Sequence, residues 1–216
     1  MKTKIDWIIQ IFLLLTFSTV LIAGDDPDAS DLANTLNDAS LLAELRQGGY
    51  TLYFRHGKTD HDSFDSDRKN LENCETQRLL SEEGRQEMKW IGEIIRQLDI
   101  KIGTVTSSPY CRSIDTATLA FGRTEIDPDL KHTVTADEAM VNRQAAALKK
   151  MLSTIPAAAG TNDVISGHTA NLQEATGIWP KPEGVAIVFK PEAGSFKYIA
   201  TIRPTDWQRL IDVAGQ

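Results

Sequence analysis

Positive charge and cysteine are both scarce in this chain of 216 residues. Lysine and arginine together number 23, against 30 aspartates and glutamates, so the net charge is −7 and the pI is near 5.1. An acidic protein is poorly suited to nucleic acid or to an anionic membrane surface, so neither is expected as the main partner. An anionic ligand would require the chain to gather its few cations locally, which makes individual arginines informative.

The only cysteines are Cys74 and Cys111. A cysteine-dependent phosphatase needs an arginine six positions after its cysteine, where this chain has Leu80 and Ala117. No histidine pair lies beside either cysteine, so a metal site built on them is also poorly supported. In an oxidising compartment an even pair favours a disulfide, and two free thiols are the alternative.

The N-terminus has the pattern of an export signal. Lys2 and Lys4 precede a mostly apolar run over residues 8–23, which is followed by an acidic stretch. We expect a signal peptide over residues 1–23 and a flexible lead-in over 24–37. An uncleaved membrane anchor is the alternative, although the run is shorter than the roughly 20 residues that span a bilayer comfortably.

Residues 38–216 then form the folded part, which we expect in the periplasm or secreted. Its length fits one domain with a sizeable core. The chain has no internal repeat, no Walker-type phosphate loop and no low-complexity tract. Apolar periodicity predicts helices over about 38–47, 81–98, 109–121, 135–152 and 169–175, and strands over about 50–55, 102–107, 163–166, 184–190 and 196–202. This alternation predicts an α/β fold, a three-layer α/β/α sandwich with a mostly parallel central sheet.

Three segments that follow predicted strands carry the reactive side chains. They are Arg55-His56-Gly57, the run Ser-Ser-Pro-Tyr-Cys-Arg at 107–112, and Ser-Gly-His-Thr at 166–169. Ligands of open α/β sheets bind outside the carboxyl ends of the strands, so the three segments should meet in one pocket. Two arginines and two histidines there would make an anion site in an otherwise acidic protein.

With these motifs the chain resembles the histidine phosphatase (phosphoglycerate mutase-like) superfamily. The resemblance rests on Arg-His-Gly at 55–57, on Ser-Ser-Pro-x-x-Arg-x-x-x-Thr-Ala at 107–117 and on Gly-His at 167–168. It covers essentially the whole mature domain. Residues 72–80 and 110–112 further resemble an exported bacterial subgroup of that family.

The resemblance implies that His56 is the nucleophile, which forms a phosphohistidine that water then hydrolyses. Neutral imidazole is nucleophilic, and a two-step route divides one difficult displacement. By the same resemblance Arg55, Arg112 and His168 hold the phosphoryl oxygens, and arginine forks can do so with no metal and no other cofactor. Thr59 and Thr169 are further expected substrate contacts.

Family members commonly protonate the leaving oxygen with a glutamate or aspartate. Glu138, 26 residues after Arg112, lies near the position of the glutamate in mutase-like members and is the expected acid. Asp60, or some other group or none, is the alternative. Glu138 also has capping-box spacing with Thr135, which would be a structural role.

Two histidines, His61 and His132, have no motif support and are expected to be solvated or locally hydrogen-bonded. A Cys74–Cys111 bridge would tie the predicted loop over 58–78 to the residue beside Arg112. Substrate specificity is expected in that loop and in the segment 122–140.

The expected activity is therefore an exported, metal-independent phosphomonoesterase. Its substrate would be a phosphorylated small molecule, an envelope sugar or a phosphoprotein. A catalytically weak phosphate-binding protein and a phosphomutase are the alternatives.

Overall fold

A six-stranded sheet forms the middle of the structure, which is a computed structural model describing residues 32–215. The strands are β1 Thr51–Arg55, β2 Ile102–Ser107, β3 Glu125–Ile126, β4 Asn162–Gly167, β5 Ala186–Glu192 and β6 Ser195–Ile202. Their order across the sheet is β3-β2-β4-β1-β5-β6. The β1 to β4 pairings are parallel, and β5 and β6 are antiparallel to their neighbours.

Helices cover both faces of this sheet. They are α1 Asp38–Gln47, α2 Glu82–Gln97, α3 Cys111–Phe121, α4 Glu138–Leu152, α5 Thr169–Thr176 and α6 Trp207–Ala214. Side chains alternate between the faces along each strand, so Leu52 and Phe54 pack with α1, α2 and α6, whereas Tyr53 packs with α4 and α5. The three-layer α/β/α sandwich predicted from the sequence is confirmed.

The ends of the helices carry the capping residues that mark helix bounds in the sequence. Asn37 caps α1 by accepting a hydrogen bond from the Ser40 N–H, and Gly48 ends the helix with φ of +81°. A Cβ there would lie 2.4 Å from the Gly160 carbonyl carbon, so only glycine fits. Ser81 caps α2 in the same way, through the N–H of Gly84.

The capping box predicted at Thr135 is wrong. The N-cap of α4 is Asp137, whose carboxylate accepts from the Met140 N–H, and Thr135 belongs to a short 3-10 turn before it. Glu138 is consequently the first residue of α4 and not the third position of a box. Aspartate is a preferred N-cap residue, because its carboxylate accepts from the unpaired N–H groups of the first turn.

Two elements escaped prediction. β3 has only two residues, and α6 follows Pro204 at the end of the chain, where Trp207 and Leu210 are its buried residues. The connection between the strands predicted over 184–190 and 196–202 is shorter than expected, because β5 continues to Glu192 and β6 begins at Ser195.

The chain before α1 also departs from expectation. Thr35 donates its N–H and its hydroxyl to the carbonyl of Ile199 in β6, at 2.8 and 2.9 Å. The flexible lead-in predicted over 24–37 therefore does not extend to residues 32–37. The predicted signal peptide lies outside the described residues. Within 32–215 no helix is both long and apolar enough to cross a membrane.

Candidate active site

The sheet places His56 by backbone hydrogen bonds on two sides. Its N–H donates to the Gly167 carbonyl of β4 at 3.0 Å, and its carbonyl accepts from the Gly184 N–H at 2.9 Å. Arg55 lies opposite Gly167 in the parallel β1–β4 pairing. The first and third motifs are therefore side by side because their strands are adjacent.

The imidazole of His56 is held as one neutral tautomer. Its Nδ1 is 3.0 Å from the Gly57 carbonyl oxygen, which can only accept, so Nδ1 carries the proton and Nε2 keeps its lone pair. His56 is 3% exposed. Burial, and then the charge of Arg112, lowers its pKa well below 6.5. At neutral pH the ring is uncharged.

Arg112, in the first turn of α3, is buried and paired. Its Nη1 donates to Asp65 at 2.9 Å and to the Arg78 carbonyl at 3.4 Å, and its guanidinium lies 4.4 Å from the centre of the Tyr110 ring. Burial raises the pKa of Asp65, but the Arg78 N–H and the Arg112 charge more than offset this and leave it below its usual value. Asp65 is thus an ionised partner that holds Arg112 in place.

The late histidine, His168, lies just before α5 and is completely buried. Its Nε2 is 2.8 Å from the Ser108 hydroxyl of the second motif. Its ring centroid is 5.4 Å from that of His56. Burial, and then Arg112, lowers its pKa well below 6.5. Thr169 follows as the first, half-buried residue of α5.

Several buried donors or acceptors in this cluster have no hydrogen-bond partner within residues 32–215. They are the Nε atoms of Arg55 and Arg112 and the Nδ1 of His168. Buried polar groups are normally paired, and unpaired ones at a functional site point to a ligand. The four residues Arg55, His56, Arg112 and His168 thus form one cluster with unused hydrogen-bonding capacity.

The sequence reasoning missed Glu183, which lies on the loop between α5 and β5. Its Oε1 is 3.3 Å from Arg55 Nη2 and 4.0 Å from His56 Nδ1. Thr59 donates to it twice, from its hydroxyl at 2.9 Å and from its N–H at 3.0 Å. Thr59 therefore contacts a carboxylate within the pocket. Glu183 has little signal in the sequence, because it belongs to no motif. Only the Pro-rich turn before it and the Gly after it distinguish its position.

Arg78 is the second residue that was missed, and it adds a third cation. Its Nη2 is 3.8 Å from Glu183 Oε1, and its N–H donates to Asp65 at 3.0 Å. His61 also approaches Glu183, at 3.7 Å, but is mostly exposed. Its predicted solvation holds, although an ionic partner was not foreseen.

The two proposed acids lie apart from these contacts. Glu138 is exposed at the start of α4, and Asp60 is exposed and accepts from the Asp62 N–H at 3.0 Å. Within the part of the chain that is described, neither makes a hydrogen bond or ion pair with Arg55, His56 or Arg112. The role of general acid stays a prediction for both.

His132 is locally hydrogen-bonded as expected, because its Nδ1 accepts from the Val134 N–H at 3.0 Å. It also packs on His168, with ring centroids 4.9 Å apart. Burial, and then Arg112, lowers its pKa to about 4. Beyond His132 is a cavity of about 300 Å³ formed by residues 128–144. Part of the predicted specificity segment 122–140 thus lines space adjoining the site.

The loop over 58–78 is confirmed, with one 3-10 turn at Cys74–Thr76. A disulfide joins Cys74 to Cys111, with Cα atoms 5.8 Å apart. Beside it, Gln77 accepts from the Cys111 N–H at 3.0 Å. The predicted bridge is present, and it fastens the loop to the start of α3, next to Arg112. Among residues 32–215 no cluster of three or more His, Cys, Asp or Glu side chains is arranged to hold a metal.

The fold and this cluster define a class of α/β protein with two histidines and two arginines gathered at the carboxyl edge of the sheet. The family model "Histidine phosphatase superfamily (branch 1)" matches residues 52–138, which contain the first two motifs. Over these residues the chain is similar to the histidine phosphatase superfamily. No curated protein sequence matches it.

Solved structures of phosphatases share its fold. The protein histidine phosphatase SixA complexed with tungstate is 16% identical, with a TM-score of 0.50, and the match covers 73% of this chain and 98% of that one. A mycobacterial glucosyl-3-phosphoglycerate phosphatase complexed with VO3 is 12% identical, with a TM-score of 0.52, covering 71% of this chain and 100% of that one.

Proposed function

We propose that this protein is an exported phosphatase that hydrolyses a phosphomonoester through a phosphohistidine on His56, without a metal. One observation carries the proposal. His56 is neutral, its proton is held on Nδ1 by Gly57, and its Nε2 is available as a nucleophile. Three arginines, Arg55, Arg78 and Arg112, lie close enough to lower its pKa, and they would attract a phosphoryl dianion.

In the first step Nε2 attacks phosphorus, and the bond from phosphorus to the leaving oxygen breaks with its electron pair. The arginines neutralise charge on the phosphoryl oxygens, and His168 offers a further contact. The leaving oxygen takes a proton, for which Glu138 is the predicted donor and Asp60 the alternative. In the second step water attacks phosphorus and gives a proton to the residue that protonated the leaving oxygen. The N–P bond breaks with its electron pair returning to Nε2, and inorganic phosphate leaves.

Similar folds bind oxyanions related to phosphate. SixA is complexed with tungstate, and the mycobacterial phosphatase is complexed with VO3. This is in keeping with a phosphorylated substrate here, such as a small molecule, an envelope sugar or a phosphoprotein. Export is inferred from the pattern of residues 1–23 and suits a protein with a disulfide.

A catalytically weak phosphate-binding protein is the second candidate. The observation that favours it is that Glu138 and Asp60 make no contact with the His56 cluster in residues 32–215. Such a protein would keep phosphate affinity and lack turnover.

The deciding experiment measures hydrolysis of an aryl phosphate in the presence of chelator. Wild-type protein is compared with His56→Ala, and a thermal unfolding curve confirms that the variant is folded. We expect turnover by the wild type and a loss of roughly 10⁴-fold or more in the variant, as for removal of a covalent nucleophile. An acid-labile phosphoenzyme should be trapped in the wild type alone. Phosphate binding without turnover would favour the binding protein.

Export is tested separately by fractionating cells that express the full chain. Recovery in the periplasm or medium, with residues 1–23 removed, is the expected result. Retention in the cytoplasm would refute this part of the proposal, and residence in the membrane would indicate an uncleaved anchor.

A further inference from the structure

A carboxylate at the centre of a phosphate pocket is unexpected, because it repels the anion that the pocket is to bind. Glu183 is nevertheless buried there, with its side chain 9% exposed. It is within 4.0 Å of a nitrogen of Arg55, His56, His61 and Arg78. A charge with so little exposure to solvent is costly unless neighbouring cations pair with it.

The hydrogen bonds of Glu183 show that its position is built into the fold. Both of its oxygens accept from Thr59, one from the hydroxyl and one from the N–H. Thr59 is itself 2% exposed and pairs with Leu80 in an antiparallel bridge that closes the base of the loop. On the other side, the N–H of the next residue, Gly184, is bonded to the His56 carbonyl. The carboxylate therefore cannot swing away without disturbing these contacts.

The orientation of the His56 ring decides which of its nitrogens faces the Glu183 carboxylate. Nδ1 bears the proton and is the ring nitrogen 4.0 Å from Glu183, while the lone pair for attack is on Nε2. When Nε2 forms its bond to phosphorus and the leaving oxygen departs with the electron pair, Nδ1 keeps its proton. The imidazole ring of the phosphohistidine then carries a positive charge that neutral His56 lacks.

We propose that Glu183 is a positioning residue for His56, whose carboxylate stabilises the cationic ring of the phosphohistidine and at the same time limits the affinity of the pocket for free phosphate. The inference rests on the proposed function. Free phosphate meets the carboxylate with no compensating cation on His56, so it is repelled. The transferred phosphoryl group creates that cation, so repulsion is offset by attraction. Product release benefits from the same charge.

This role predicts two effects of opposite sign for Glu183→Gln, which removes the charge and keeps the size of the side chain. Inorganic phosphate should bind more tightly, on the order of tenfold, since an anion close to the arginines is gone. The rate of phosphoenzyme formation should fall on the order of tenfold, since the cationic ring loses its counter-charge. Glu183→Asp should recover part of the rate.

The experiment measures phosphate binding by calorimetry and phosphoenzyme formation by rapid quench with an aryl phosphate. Glu87→Gln is the matched control, because this partly buried glutamate faces Gly184 from α2 and does not contact His56. It should leave both quantities unchanged. Opposite shifts in Glu183→Gln support the proposal. If both quantities weaken, Glu183 is only structural, and if neither changes, its charge is irrelevant; either result overturns the proposal.

Phosphate binding requires no turnover, so this arm is separate from the phosphatase assay. A wild type that binds phosphate but hydrolyses nothing would refute the proposed function. Tighter phosphate binding by Glu183→Gln would then still support the limit on affinity and leave the phosphohistidine role refuted.

Discussion

The two sides of the pocket are held by different kinds of structure. On one side, His56 and His168 follow β1 and β4 and are almost fully buried. The His56 N–H donates to Gly167 of β4, and the His168 carbonyl accepts from the Tyr53 hydroxyl of β1. On the other side, Asp65 and Arg78 belong to a long loop with a single 3-10 turn, held by side-chain hydrogen bonds and one disulfide. The sheet fixes His56, whereas the loop supplies Arg78 and holds Arg112 through Asp65.

Arg112 joins the two sides, so its replacement should have the largest effect among variants that keep His56. Arg112→Lys keeps the charge but loses the fork that reaches Asp65 and a phosphoryl oxygen together. We expect kcat/KM for an aryl phosphate to fall about 10²- to 10³-fold, as on removing one donor to a transition-state oxyanion. Steady-state kinetics measure this. Arg85→Lys, a surface pair with Asp115, is the control and should be neutral. A similar loss in both variants would contradict the assignment.

Removing the disulfide tests the loop side alone. In Cys74→Ala/Cys111→Ala the free energy of unfolding should fall by about 3–4 kcal/mol, because an unbridged unfolded chain gains entropy from a loop of this length. Urea unfolding of the variant and of the wild type, both without reductant, measures the change. An unaltered unfolding midpoint would mean that hydrogen bonds such as Gln77 to Cys111 hold the loop without help from the bridge.

Acid should destabilise the histidine side. The pKa values of His56 and His168 are lowered well below 6.5 and that of His132 to about 4. Each histidine has a lower pKa in the folded than in the unfolded chain. The unfolded chain therefore binds more protons than the folded chain once the pH falls below about 6.5. Stability is intact above that pH and is lost progressively towards pH 4. Chemical unfolding at several pH values measures the slope, and His132→Asn should make it shallower. An equal slope would contradict the assignment to His132.

The last prediction concerns the proton donor. As the general acid that the proposed mechanism names, Glu138 should be needed for turnover although it is exposed and outside the His56 cluster. Glu138→Gln should lower kcat for an aryl phosphate about 10²-fold, and a change of less than about threefold would exclude this role. Asp60→Asn is the parallel variant. A loss of a hundredfold or so in either would identify that residue as the proton donor and show that it moves when substrate binds.

Much of the fold could be read from local pattern. The strand at 102–107 and the helix at 38–47 match the structure residue for residue, because burial on one face and strong end signals such as Gly48 are both written in sequence. α6 was missed because it is short and packs by two buried side chains, Trp207 and Leu210, whose partners lie in distant elements.

The candidate site divides in the same way. Arg55, His56, Arg112 and His168 were predicted because each belongs to a motif at a strand end, and parallel strands carry such ends to one edge. Glu183 was missed because it stands in no motif, and Arg78 because the segment 72–80 was assigned no chemical role. Only folding brings them within 4 Å of each other, across 105 residues of chain.

By itself, the sequence determined the α/β order of elements, the motif residues and the only possible cysteine pair. Those depend on side-chain type and on spacing along the chain. Tertiary structure alone decided which nitrogen of His56 holds the proton, and it set the Glu183 carboxylate beside that nitrogen. The first depends on the backbone conformation at Gly57, whose N–H is held by the Thr116 hydroxyl from α3. The second depends on the loop before β5, which is far from His56 in sequence. Both arrangements exist only after the sheet and its helices have come together.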